Sequence, residues 1–87
     1  NVFPSPFRIP SSKPMTVDGL KDNSSIKIMT LSGEVLRSIS NFEVQGYQAY
    51  WDGRDQSGKL VGTGVYLVAI YDKSGASSFE KVAVIRE

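Results

Sequence analysis

The sequence predicts an all-β fold, an antiparallel β-sandwich of about seven short strands. Three observations predict it. Several short stretches alternate apolar with polar residues, the period of a strand with one buried side. Glycine-bearing turns separate those stretches. No segment carries a helical period, and helix formers are sparse. The 87 residues suffice for one such domain.

All four prolines, Pro4, Pro6, Pro10 and Pro14, fall in residues 1–14. Each fixes φ and lacks an N–H, so this segment cannot be a central strand. It is read as an extended entry or an edge strand. Phe3 and Phe7 flank Pro4-Ser5-Pro6 and are placed to pin it to the body. The sandwich proper is expected over residues 15–87.

Residues 15–17 form a short strand that ends at the turn pair Asp18-Gly19. Residues 25–31 alternate, with Ile26 and Ile28 on one side and Lys27 and Met29 on the other. Ser32-Gly33 then turns the chain into residues 35–39, a hairpin with Gly33 at φ > 0. A loop is expected at residues 41–46 and an aromatic-rich strand at 47–52. Residues 53–64 carry Gly53, Gly58, Gly62 and Gly64 and few packing side chains. The strongest strand is 65–72. Residues 73–76 turn it back into 78–86.

Charge gives the inward side. Lys27 faces out, so Ile26 and Ile28 face in. Tyr66, Val68 and Ile70 share one side of the strongest strand; Val65, Leu67, Ala69 and Tyr71 share the other. Both sides are apolar, so this strand is expected to be central or to have its outer side covered. Val82 and Val84 are placed inside, alternating with Lys81 and Ala83.

Composition narrows the function. The chain has no cysteine and no histidine, which removes His-activated nucleophiles and the usual zinc ligands. Neither an enzyme nor a cofactor is expected. Ten basic and nine acidic residues leave a net charge of +1, no reason to expect nucleic acid or an anionic membrane surface. The apolar run at 65–71 falls far short of the roughly 20 residues of a membrane-spanning helix. The chain starts at Asn1 without an initiator Met and is expected to be a piece of a longer protein.

Four motifs invite chemistry. Gly53-Arg54-Asp55-Gln56-Ser57-Gly58-Lys59 begins a phosphate-loop pattern, but Leu60 replaces the metal-binding hydroxyl and no helix follows. Asp52, Asp55 and Gln56 suggest a cation, yet Arg54 stands between the aspartates; aspartates and serines beside glycine more often bond their own backbone. No metal is expected. Trp51 with Tyr47, Tyr50 and Tyr71 suggests sugar stacking, but a lone Trp in a strand reads as core, leaving Tyr50 on the opposite side as the exposed candidate. Asn23-Ser24-Ser25 matches a glycosylation acceptor and reads as a polar turn.

The stretch "YWDGRDQSGKLVGTGVYLVAI" resembles the W-D-G-x-D-x-x-G-x-x-V-x-x-G-V-Y signature of Ig-like domains in flagellar hook-capping proteins. The same signature marks the C-terminal sorting domains of the type IX secretion system in Bacteroidetes. "VFPSPF", with Pro4 and Pro6, resembles the Y/F-P-N-P-F opening of those domains, and "IKIMTLSGEVLRSI", with Gly33, resembles their I-x-I-x-D-x-x-G-x-x-V hairpin. "FEKVAVIRE" resembles their terminal strand. Ser5 stands for the usual Asn and Thr30 for the usual Asp. Pro4, Pro6, Gly33, Trp51, Asp52, Gly53 and Gly58 carry the structural part of the resemblance.

The resemblance implies an Ig-like sandwich that addresses a larger protein to the type IX translocon. It implies passage through the periplasm to the outer membrane or cell surface. The implied partners are outer-membrane or surface proteins of the translocon and the preceding domain of the parent chain, with an indirect link to lipopolysaccharide. Gly64, Tyr66, Phe79, Lys81, Val82 and Val84 are the expected recognition residues. The alternatives are a structural Ig-like module of the hook-capping type and a carbohydrate-binding module.

Overall fold

The structure, a computed structural model, describes residues 1–21, 23–40 and 47–87. The loop expected at 41–46 lies outside the described residues. Among the described residues the chain forms eight strands: β1 (Val2–Phe3), β2 (Phe7–Ile9), β3 (Met15–Val17), β4 (Ser25–Thr30), β5 (Val35–Ile39), β6 (Ala49–Trp51), β7 (Gly64–Tyr71) and β8 (Ser77–Arg86). They build a sandwich of a three-stranded sheet, in the order β1-β3-β6, and a five-stranded sheet, in the order β2-β8-β7-β4-β5.

The alternation sets the core. From the small sheet, Met15, Val17, Ala49 and Trp51 point inward; from the large sheet, Phe7, Ile9, Ile26, Ile28, Ile39, Val68, Val82 and Val84 meet them. Every one of these side chains is buried. Trp51 is the largest, 6.0 Å from the ring of Phe7 and 6.4 Å from that of Tyr66. At roughly 2 kcal/mol for each large apolar side chain removed from water, this cluster is the main stabilising contribution.

The proline-rich segment adds an edge strand to each sheet. β1 pairs antiparallel with β3, and β2 runs parallel to β8 with Phe7 opposite Val84. That parallel pair departs from the wholly antiparallel expectation and raises the strand number to eight. Both strands lie at sheet edges and are short, because Pro4, Pro6 and Pro10 bound them and cannot extend a ladder. Phe7 enters the core, whereas Phe3 is 46% exposed and pins nothing inside.

Three turns are built alike. Thr30-Leu31-Ser32-Gly33-Glu34, Asp55-Gln56-Ser57-Gly58-Lys59 and Asp72-Lys73-Ser74-Gly75-Ala76 each close with the glycine N–H on the first residue's carbonyl, at 3.0 Å. In each, the first residue's N–H reaches the fifth residue's carbonyl at 2.8–3.0 Å. The glycines sit at φ +98, +92 and +88, the left-handed conformation that ends a three-residue hairpin loop. A side-chain oxygen organises every copy. Asp55 Oδ1 accepts from Ser57 N, Ser57 Oγ and Lys59 N. Asp72 Oδ1 accepts from Ser74 N, Ser74 Oγ and Ala76 N. In the first turn Thr30 Oγ1 accepts from Glu34 N and lies 2.9 Å from Ser32 Oγ. The threonine that replaces the usual aspartate thus keeps the turn, with a hydroxyl in place of the carboxylate.

Candidate recognition surface

The motif Trp51-Asp52-Gly53-Arg54 forms a corner held by its own hydrogen bonds. The Trp51 indole N–H donates to Arg54 O at 2.9 Å, the partner a buried Trp needs. Asp52 Oδ1 accepts from Arg54 N at 3.0 Å and pairs with Arg37 at 3.5 Å. Gly53 has φ +85, and a Cβ there would stand 2.7 Å from Ile9 Cγ2. Only glycine fits both the conformation and the space. Val61 N then bonds Gly53 O at 2.9 Å, and Arg54 and Leu60 form a bridge that closes the hairpin around Asp55.

This corner has no phosphate loop and no cation cage. Asp55 is held by its own turn; the Ser57 hydroxyl, ahead of the Lys59 and Ser57 amides, keeps its carboxyl below the ordinary range. The Ser74 hydroxyl does the same for Asp72. Gln56 lies along β5: its N–H donates to Leu36 O at 2.8 Å, and its Oε1 accepts from Ser38 N at 3.1 Å. Among the described residues no cluster of acidic side chains is placed to hold a metal ion. The glycine-rich stretch therefore caps a sheet edge that would otherwise present unpaired backbone groups.

The sugar candidates are dispersed. Trp51 is core. Tyr50 is 43% exposed on the outer side of the small sheet, in a row with Thr16 and Phe3, and its hydroxyl donates to Gln48 Oε1. Tyr71 lies on the outer side of the large sheet, across the sandwich, so the two rings share no platform. In the acceptor motif Ser24 is buried and its hydroxyl donates to Lys21 O at 2.6 Å.

The six expected recognition residues separate into two groups. Phe79 is 56% exposed and Lys81 is exposed; both project from β8 onto the outer side of the large sheet. Val82 and Val84 require correction. They are 0% and 1% exposed, and no partner reaches their side chains while the domain is folded. Gly64 pairs with Val84, and a Cβ on it would face the Tyr66 ring at 3.8 Å. Tyr66 packs against the core and donates its hydroxyl to Gly62 O at 2.6 Å.

The backbone edges are also narrower than a terminal strand suggests. β7 is central, with β4 on one side and β8 on the other. β8 is bordered by β2 only from Val84 to Arg86; along residues 77–83 no described strand pairs with its outer edge. Lys27 and Met29 of β4 stand beside Ala69 and Leu67 on the same outer side as Phe79 and Lys81. The alternation of residues 25–31 already turns them outward; which strand they neighbour is set by the fold.

No protein-family model matches this sequence, and no curated protein does. Among solved structures, 99% of the chain is similar to part of PorZ, an essential surface component of the type IX secretion system of Porphyromonas gingivalis, at 33% identity and a TM-score of 0.80. The chain spans 11% of PorZ. It is also similar over its full length to 9% of dimeric latent PorU from the same organism, at 20% identity and a TM-score of 0.67. CopC from Methylosinus trichosporium OB3b shares 16% identity and a TM-score of 0.53 over 96% of its length. The last two likenesses show the fold alone. The resemblance to type IX secretion domains has its structural counterpart in PorZ: this chain shares the fold of one part of that surface component, and a third of its residues.

Proposed function

We propose that the chain is a recognition domain through which a larger protein engages the type IX secretion system and reaches, or is held at, the outer surface of the cell. It acts by protein–protein contact, without catalysis of its own. The observation that carries this reading is the 33% identity to PorZ over 99% of the chain. The chemistry agrees with it. A chain without His or Cys offers no His- or Cys-based nucleophile activation, and Asp55 and Asp72 are engaged by their own turns. The exposed features among the described residues include an apolar sheet face and the unpaired edge of β8, surfaces of the kind proteins use to bind proteins.

Deleting the last strand does not test this reading. β8 supplies Val82 and Val84 to the core and borders both β2 and β7, so its loss unfolds the domain. A direct test attaches the chain to the C-terminal end of a reporter exported to the periplasm of Porphyromonas gingivalis. The reporter becomes accessible to added protease in cells with a working type IX system and stays protected in cells without one. Protection in both strains, with the chain folded, rejects the proposal.

A further inference from the structure

The outer side of the five-stranded sheet is largely apolar, and no described strand packs over it. The strand register places Phe79, Ala69, Lys27 and Ser38 in one row across β8, β7, β4 and β5. Lys81, Leu67, Met29 and Val35 form the next row, and Ala83 and Val65 a third. Phe79, Val35 and Val65 are 56%, 47% and 45% exposed. Four strands about 4.8 Å apart and seven residues long give a footprint of about 400 Å². That is half of one partner's share, about 800 Å², of a standard protein interface.

The two charges in the middle of this face have one sign. Lys27 and Lys81 are both exposed, and they lie diagonally across β7, about 12 Å apart at ordinary strand spacings. The Lys27 amine stands 5.6 Å from the centre of the Tyr71 ring. Arg8 stands at the β2 border, already paired with Glu87 at 3.8 Å. No acidic residue projects from the described strands β4, β5, β7 and β8 onto this face.

We infer that this face is a docking surface for a protein partner whose contact patch sets apolar side chains between two carboxylates, one for Lys27 and one for Lys81. The inference rests on the recognition reading above and names the surface that performs it. Charge complementarity selects the occupant: burying the apolar rows brings both lysines into the interface, and a carboxylate opposite each offsets their desolvation. A second copy laid face to face sets lysines against lysines, and the acid at the border of the described face, Glu87, is already paired with Arg8. An anionic lipid surface fits poorly, because a flat sheet has no protruding apolar edge to insert while its lysines remain at the headgroups.

The test uses the intact protein in its own cells, with a photo-crosslinking amino acid at position 67 on this face or at position 50 on the opposite sheet. Each is made alone, with Lys27→Glu and Lys81→Glu together, and with Lys27→Arg and Lys81→Arg together. The purified chain is examined in parallel by sedimentation and by flotation with phosphatidylglycerol vesicles, and thermal melting checks that each variant folds. The inference predicts a crosslink to another protein from position 67 and none from 50. The glutamate pair weakens it by at least about tenfold, and the arginine pair keeps it. Equal crosslinking from both positions, or indifference to the glutamates, overturns the inference. So does self-association through position 67, or flotation that the glutamate pair abolishes. Surface delivery is followed in the same cells. A charge-sensitive crosslink with delivery unaffected keeps the docking face and removes the delivery role. Type IX-dependent delivery with no crosslink at 67 keeps the delivery role and overturns the docking face.

Discussion

The Trp51 corner and the outer face of the large sheet use their side chains in opposite ways. At the corner each group has a partner inside the domain: the indole with Arg54 O, Asp52 with Arg37 and Arg54 N, and Gly53 with the space left by Ile9. On the outer face Phe79, Val65 and Val35 have water above them, and Lys27 and Lys81 have no described carboxylate. The corner holds motif residues that resemble a ligand site, yet it is structural. The face carries Phe79 and Lys81 of the terminal-strand motif, and no ligand-like motif lies on it. Chemistry-bearing residue types therefore mark a site only when their polar atoms are left over after the fold is satisfied.

Substitutions at the corner are expected to have the largest effects on stability. Trp51→Ala removes a fully buried ring and its contacts with Phe7 and Tyr66, at a cost of about 3–5 kcal/mol in urea unfolding. Gly53→Ala forces a Cβ toward Ile9 in a left-handed conformation and costs about 2–4 kcal/mol by the same measurement. An Ile9→Ala/Gly53→Ala double variant sharpens the point. Removing the clashing methyls recovers part of the Gly53 loss, so the two costs add to less than their sum.

The three turns predict a smaller, pH-dependent effect. The carboxyls of Asp55 and Asp72 are held below their ordinary value of 3.8 when folded. The unfolded chain therefore binds more protons in that range. Their contribution is fully present above about pH 4 and is lost as pH falls through the folded values. Urea midpoints measured from pH 7 down to pH 2 should drop below pH 4 in the parent chain. The Asp55→Thr/Asp72→Thr variant copies the arrangement seen at Thr30 and should flatten that drop; Thr30→Asp should steepen it. Equal slopes in all three would show that the carboxylates do not organise the turns.

The smallest stability effect belongs to the face. Lys27→Glu with Lys81→Glu changes two exposed side chains and should leave the unfolding free energy from urea titration within about 0.5 kcal/mol of the parent. A large loss would mean that the lysines hold the sheet together instead of facing a partner.

The sequence made the periodic parts of this fold legible. Alternation placed Ile26, Ile28, Val82 and Val84 inside, and the lone Trp in a strand pointed to the core. Ser32-Gly33 marked its hairpin because a left-handed glycine is needed there. What stayed hidden were pairings between distant segments. β2 runs beside β8 although more than seventy residues separate Phe7 from Val84, and three proline-punctuated residues carry no period that names a partner. The role of Gln56 was hidden for the same reason, since nothing local ties its amide to the edge of β5. The candidate site was legible in part. Phe79 and Lys81 face outward with Lys27 and Met29, but the terminal-strand motif also included the inward-facing Val82 and Val84. A linear motif records what a family shares, and buried packing residues are shared along with exposed ones.

The central claim is that this domain works through the outer face of its large sheet. The most direct measurement is surface delivery of a reporter carrying the chain in Porphyromonas gingivalis, with Lys27→Glu/Lys81→Glu compared against Asp55→Thr/Asp72→Thr. Both variants are first shown to melt within a few degrees of the parent. The account predicts that the turn variant is delivered like the parent and that the face variant stays inside. Delivery of the face variant at the parent's level would contradict it.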